Sequence, residues 1–197
     1  MTSVLVAPSR TADLPVRICE AFLTCLERQG LRGTSVDDVA MEAGCGRASI
    51  YRVIPGGRAG LLHAAVEHQL RALREVVVAA SVDAATLPEA VARAVHAAAT
   101  TLRSSAPLQR LLAEEPGAIL PLLSFEGLQP ILDRVAEWSP SLFGRFGTDA
   151  QARAAGDWIA RVVLAHLRTP GAPIDLTDPD DCRRLVDTFF PSPDPAL

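Results

Sequence analysis

The stretch Val36–Val53, VDDVAMEAGCGRASIYRV, decides how the rest of the chain is read. Small residues stand where a generic amphipathic helix would carry larger ones, with Ala40 and Gly44 four positions apart. Two helices that cross steeply at a tight turn have this requirement. The first helix needs a short side chain where the second passes over it, which Ala40 supplies. The turn needs a residue that tolerates positive φ, and Gly44 does so without a Cβ penalty. Around such a turn Val39, Ala43, Cys45, Ile50 and Val53 point inward and close one small apolar core. Arg47, Ala48, Ser49, Tyr51 and Arg52 point outward. That face is small, polar and cationic, and it suits a major groove about 12 Å wide. From Gly44 to Arg58 there are three Arg and no acid; Asp37, Asp38 and Glu42 all precede the run. A local positive patch therefore forms in a chain whose net charge is −4. A helical hairpin inside a bundle would explain the two small residues, but not the acid-free cationic helix beside them.

The flanks agree with this reading. Ile18, Ala21, Phe22, Cys25 and Leu26 recur at helical spacing between Leu14 and Arg28, and Gly30 closes that helix. Ser35 with Asp38 fits a capping box with Asp in place of Glu, and Thr34 with Asp37 is the rival register. The short helix from Arg47 runs to about Ile54 and is ended by PGG at 55–57, after which a long helix extends from Arg58 to about Ala80. Its apolar face is Leu61, Leu62, Ala65, Val66, Leu70, Leu73 and Val77. Past Ser81 the chain is rich in Ala and Leu with Pro as punctuation, which predicts helices near 87–103, 107–114, 116–124, 127–138, 149–168 and 179–190. No segment alternates with period two for long enough to make a strand. The fold class expected is all-α, with a three-helix DNA-binding domain over 14–57, a larger helical domain over 58–190, a flexible arm at 1–13 and a flexible tail at 191–197.

Composition narrows the function classes. Of 197 residues 49% are hydrophobic, enough for a buried core, and only 5% are aromatic, which favours helices over a β-sandwich. All 19 basic residues are Arg, with no Lys and no Asn, a bias that points to a GC-rich genome. Cys19, Cys25, Cys45 and Cys182 form no C-x-x-C pair and no zinc spacing, so they read as reduced, mostly buried thiols. His63 and His68 lie about 140° apart around their helix and do not converge on a metal. No G-x-S-x-G, P-loop or H-E-x-x-H motif occurs. The expectation is a soluble, cytoplasmic protein without enzymatic activity, metal or cofactor, and with no membrane-spanning segment.

The run TSVDDVAMEAGCGRASIYRVIPGGRAGLL resembles the DNA-binding domain of TetR-type transcriptional regulators. The likeness covers about residues 14–65. It rests on the capped second helix, the VA and AG pairs around the turn, RASIY in the recognition helix, and a basic residue starting the next helix after PGG. The resemblance implies that Arg47, Ala48, Ser49, Tyr51 and Arg52 face double-stranded DNA, and that Tyr51 reaches backbone phosphate through its hydroxyl. It also implies that Arg58 takes the place of the family's common Lys at a phosphate, with fork geometry instead of a point charge. Ser35 would cap the second helix and reach a phosphate too. Three positions depart from the family pattern. Gly46 replaces a capping Ser, Val53 stands where His, Tyr or Leu is common, and Ile54 where an aromatic is common. They leave the fold reading intact and bear on the base contacts.

The same resemblance implies a repressor that binds a palindromic operator as a homodimer and is released by a small effector. Pairing would use the last two long helices, with Trp158, Ile159, Val162, His166, Leu185 and Phe189 at the interface; the stripe is also wide enough to bury itself within one subunit. The middle helices would enclose the effector. Leu102, Phe125, Trp138 and Phe143 are candidate walls, each equally readable as plain core, and His96 and Arg103 are candidate polar contacts. For His96 a partly exposed helix position is the blander reading. Few charges fall among these positions, which suits an apolar effector. The long helix from Arg58 would carry the signal. The alternative function is a helical interaction or sensor module with the same fold that has lost specific DNA binding.

Overall fold

The computed structural model describes residues 14–119, 125–167 and 173–190, and every regular element among them is helical. In chain order these are α1 (Leu14–Gly33), α2 (Val36–Glu42), α3 (Arg47–Val53), α4 (Gly57–Ser81), α5 (Leu87–Ser104), α6 (Ala106–Glu114), α7 (Pro116–Ile119), α8 (Phe125–Phe143), a short 3₁₀ turn (Gly144–Phe146), α9 (Asp149–Leu167) and α10 (Pro179–Phe189). The all-α expectation holds. The expected arm at 1–13, the tail at 191–197 and the last residues of the helix expected over 116–124 lie outside the described residues.

The chain forms two compact units. The first comprises the residues up to Arg71 together with Arg110–Glu115, and the second comprises Ala72–Gln109 and the residues from Pro116 onward. The division between them falls inside α4, between Arg71 and Ala72, and the six-residue segment Arg110–Glu115, far along the chain, belongs with the first unit. This grouping comes from tertiary contacts that local pattern does not encode.

In the first unit α1 packs on α2, and α2 on α3. Ser35 caps α2 through a complete capping box. Its hydroxyl accepts from the Asp38 N–H at 3.1 Å, while Asp38 Oδ2 accepts from the Ser35 N–H at 2.8 Å. This settles the register, because Thr34 is buried and its hydroxyl donates to the Gly30 carbonyl at 2.6 Å. The turn after α2 passes through Gly44 at φ 59°, the left-handed conformation that the turn requires. Ile18, Phe22, Leu26, Val39, Ala43, Ile50 and Leu61 are buried as the periodicity expects. Cys45 and Val53 are only half-buried, and Ile54 is buried in their stead. Ile54 has left the helix (φ −129°, ψ 88°), so helical period no longer predicts where its side chain points.

The second unit is built on α5, α8, α9 and α10. Helix α5 packs against α9 and α10, and α8 against α9. Its core holds Val91, Ala94, Val95 and Ala98 of α5, Phe143 of α8, Ala155, Ile159 and Val163 of α9, and Cys182 and Val186 of α10. Helix α8 continues through Pro130 and Pro140, where the sequence pattern ends it at about 138. Pro140 has no N–H for the Ala136 carbonyl, and Arg153 Nη1 of α9 donates to that carbonyl at 3.0 Å instead. The same two helices meet closely at Gly156. A Cβ there would lie 1.9 Å from Ser139 Oγ and 3.2 Å from Val135 Cγ1, and Ser139 is fully buried. Gly156→Ala is expected to destabilise the chain by about 1–3 kcal/mol through overpacking, read as a lower denaturant midpoint at unchanged slope.

Candidate functional site

Helix α3 is short, and one side of it holds it in place. Ile50 is fully buried, whereas Arg47, Ala48, Tyr51 and Arg52 are exposed and Ser49 is half-exposed. Gly46 is the N-cap and offers no side-chain bond. A glycine cap costs only a few tenths of a kcal/mol relative to a capping side chain. At the cap the chain instead carries Arg47, whose Nη1 pairs with Asp37 of α2 at 3.2 Å. The Arg47 guanidinium also lies over the Tyr51 ring, 5.7 Å from its centroid. No hydrogen bond or ion pair engages Arg52 among the described residues. The two arginines are thus not equivalent: one is held within the protein, and the other is free to meet a partner.

Asp37 was read from the sequence only as an acid lying before the cationic run. Its pairing with Arg47 brings negative charge to the edge of the outward face. Both side chains are more than half exposed, so the pair is worth about 0–1 kcal/mol. Asp37→Asn is expected to tighten DNA binding about two- to fivefold at low salt, with the gain shrinking as salt rises. Titration of a short duplex at two salt concentrations checks this.

Ser35 is exposed, but its hydroxyl is engaged in the capping box and donates to Asp38 Oδ2 at 2.6 Å. The two Ser35 bonds hold the Asp38 carboxyl below the usual carboxylate range. Arg58 is exposed at the start of α4 and donates through Nη1 to the carbonyls of Leu31 and Arg32, at 3.2 and 3.3 Å. Arg17 holds the first unit together from the other end of α1, donating to the Ala43 carbonyl at the turn.

In the second unit the residues expected to contact an effector fall in different settings. Phe143 is buried in the core of this unit, 2% exposed. Leu102 packs against that core from its edge. Arg103 is exposed and paired with Asp175 at 2.8 Å and Thr177 at 3.1 Å, so its charge is already answered within the chain. Trp138 is half-buried. The side chain of Phe125 lies outside the described residues. His96 is half-buried and its Nδ1 is enclosed without a hydrogen-bond partner, as is Nε of Arg74 on α4. Arg74 had escaped the sequence reading, because an arginine on a helix flank carries no sign of enclosure. Its Nη2 reaches Ser141 at 3.5 Å. A buried nitrogen without a partner is costly, so Arg74 and His96 are the polar atoms of this unit best placed to gain from a ligand.

The expected interface residues also divide. Ile159 turns into the chain's own core and is 7% exposed. Trp158, Val162 and Leu185 pack against the core from outside, and Phe189 is 61% exposed. Trp158 meets Phe189 at 5.8 Å and Phe190 edge-on at 5.0 Å. His166 is half-buried, its Nδ1 2.8 Å from the Val162 carbonyl. The cluster leaves one aromatic ring mostly in water, an exposed apolar patch at the end of α10.

Cys19, Cys25 and Cys182 are buried, and burial pushes the Cys182 thiol up to about 11 while its Sγ donates to the Leu176 carbonyl. No group of three or more His, Cys, Asp or Glu gathers as metal ligands among the described residues. No described helix is long and apolar enough to cross a membrane.

Comparison with solved structures matches this helical order almost end to end. The TetR-family repressor AlkX from Dietzia sp. strain DQ12-45-1b, implicated in biodegradation of n-alkanes, superposes with a TM-score of 0.71 at 20% identity, covering 95% of each chain. The chain has the TetR-family fold. The TetR-family repressor QsdR of R. erythropolis matches with a TM-score of 0.57 at 18% identity, over 90% of this chain and 94% of that one. The fatty acid degradation regulator FadR from Bacillus halodurans matches with a TM-score of 0.54 at 16% identity, over 88% and 94%. No family model matches the sequence, and no curated protein does. In this fold α2, the Gly44 turn and α3 form a helix-turn-helix pair.

Proposed function

We propose that the chain is a DNA-binding transcriptional regulator that reads a palindromic operator as a homodimer and acts as a repressor released by a small, apolar effector. The observation that carries this is the face of α3. Arg47, Ala48, Tyr51 and Arg52 are exposed together, no acid occurs from Gly44 to Arg58, and the glycine turn sets α3 across α2. A helix that is small, cationic and free of acids has the shape and charge to enter a major groove. Arg52 and Ser49 would read base edges, while Tyr51, Arg47 and Arg58 would meet phosphate. Trp158, Val162, Leu185 and Phe189 would pair two subunits, as twofold readers of palindromes require.

For the effector, we place the site in the second unit, where Leu102 and Trp138 would be apolar walls and the unpartnered nitrogens of His96 and Arg74 would supply hydrogen bonds. Two proteins of the same fold, AlkX and FadR, are described by their links to n-alkane and fatty acid degradation, which supports an apolar or acyl-chain effector here.

The test is a mobility-shift titration of the full chain on the DNA upstream of its own gene, with an unrelated duplex of equal length beside it. A regulator binds the upstream DNA at least about a thousandfold more tightly at about 0.15 M salt, the lower end of the range of specific over non-specific affinity. Equal, weak binding to both duplexes would support an interaction module that has lost specific recognition.

A further inference from the structure

One peptide group near the end of α1 is gripped from both sides. Gly30 takes a left-handed conformation (φ 71°, ψ 176°) inside α1. The break turns the next two amides, Leu31 and Arg32, toward one acceptor, in the manner of an anion-binding nest. That acceptor is Glu115. Its carboxylate accepts from the Leu31 N–H at 2.6 Å and from the Arg32 N–H at 3.2 Å. The Leu31 carbonyl, in the same peptide group as the Arg32 N–H, accepts from Arg58 at 3.2 Å. Arg110 takes the two carbonyls just before the break, Glu27 at 2.7 Å and Arg28 at 2.9 Å.

The Glu115 side chain is only 12% exposed, and the cation nearest to it is Arg32 at 3.7 Å, itself 92% exposed. Backbone amides are therefore its main partners. The nest accepts a carboxylate only around glycine, since a Cβ at residue 30 would lie 2.5 Å from Glu115 Oε1.

We propose that Glu115 is a positioning residue for DNA binding: by fixing the Leu31–Arg32 peptide it orients Arg58 toward phosphate. This rests on the reading of Arg58 as a phosphate contact. A guanidinium has five N–H donors in a rigid fork. Tethering one nitrogen to two carbonyls sets the direction of the fork and leaves other donors for DNA. Without the Glu115 carboxylate the two amides lose their acceptor, and the glycine break can rotate. The carbonyls that hold Arg58 rotate with it. The DNA-reading unit is then not complete at residue 57. It needs the segment Arg110–Glu115, which enters the first unit from more than fifty residues further along the chain.

The experiment uses the full-length chain on a non-specific duplex across a salt series. Variants are Arg58→Ala, Glu115→Ala, Glu115→Asp and the double variant Arg58→Ala with Glu115→Ala. Losing one phosphate contact should reduce the slope of log K against log salt by about 0.9, and affinity about tenfold at 0.1 M salt. Glu115→Ala, which removes the acceptor of both amides, is expected to produce most of that change, and the double variant no more than Arg58→Ala alone. Amide exchange at Leu31 and Arg32 should accelerate in Glu115→Ala. Glu115→Asp, which keeps the charge on a shorter arm, should fall between wild type and Glu115→Ala and guards against a misfolded Ala variant.

An unchanged slope in both Glu115 variants while Arg58→Ala lowers it, or losses that simply add in the double variant, would overturn the positioning role and leave the Arg58 reading standing. An unchanged slope in Arg58→Ala would overturn the Arg58 reading itself, and the proposal with it. A purely structural role for Glu115 would lower the melting temperature without this non-additivity in DNA binding.

Discussion

Arg52→Ala is expected to weaken operator binding by about 1–3 kcal/mol, the largest loss of any single change on the recognition face. The reason is what Arg52 lacks. Among the described residues no carboxylate, carbonyl or ring engages it, so its binding to DNA requires no internal contact to be broken. Arg47 starts from a different position. It gives up Asp37 at 3.2 Å before it meets DNA, and that exchange offsets part of its gain. Arg47→Ala should therefore cost less than Arg52→Ala, although the two residues carry the same charge on the same helix. Arg52 lies in the last turn of α3, where a cation also favours the helix by a few tenths of a kcal/mol, so melting temperatures must be recorded beside affinities. Filter binding on operator and non-specific duplexes separates the roles. A loss confined to the operator marks base recognition, and an equal loss on both marks a phosphate contact. No loss on either would mean that α3 is not the reading helix.

What the sequence could and could not reveal follows the range of the interactions. Ser35, Asp38, Gly44 and Ile50 were legible because a cap, a turn and a helical face each depend on residues a few positions apart. Fold class followed from the same short-range signals. Val53 is read as inward yet is only half-buried, and Ile54 is buried instead, because Ile54 sits just past the helix, where period stops predicting direction. Ile159 and Trp158 are neighbours on a helix that is apolar over a wide arc, so which one meets the chain's own core is decided by α5 and α10, not by α9. Pro140 reads as a stop until Arg153 is known to satisfy the carbonyl that it orphans. Glu115 was illegible altogether. Its amide partners are 83 and 84 residues away, and an acid at a helix end ordinarily reads as solvated.

Phe189→Asp is expected to convert the proposed dimer into a monomer that remains folded, and to lower operator affinity about 10²–10⁴-fold. Phe189 is the better probe than Val162, because it is 61% exposed whereas Val162 also packs against the core of its own chain. An aspartate at 189 therefore disturbs little within the subunit beyond the contact with Trp158 at 5.8 Å. In a symmetric pair each subunit would bring the same aromatic patch to the twofold axis, so the substitution introduces two charges into one apolar interface. Neither charge has a basic partner in the surrounding stripe of Trp158, Val162 and Leu185. The loss on DNA follows from geometry rather than from any contact with DNA. A dimer that has docked one recognition helix holds the other near its half-site, about 34–36 Å away along the duplex. A monomer has to find each half-site independently. Binding to a single half-site should consequently change little, while binding to the full palindrome collapses toward it. Sedimentation velocity gives the assembly state, and titration of half-site and full-site duplexes gives the affinity. A wild-type monomer at micromolar concentration would end the dimer reading. A dimeric Phe189→Asp variant would move the interface away from the end of α10.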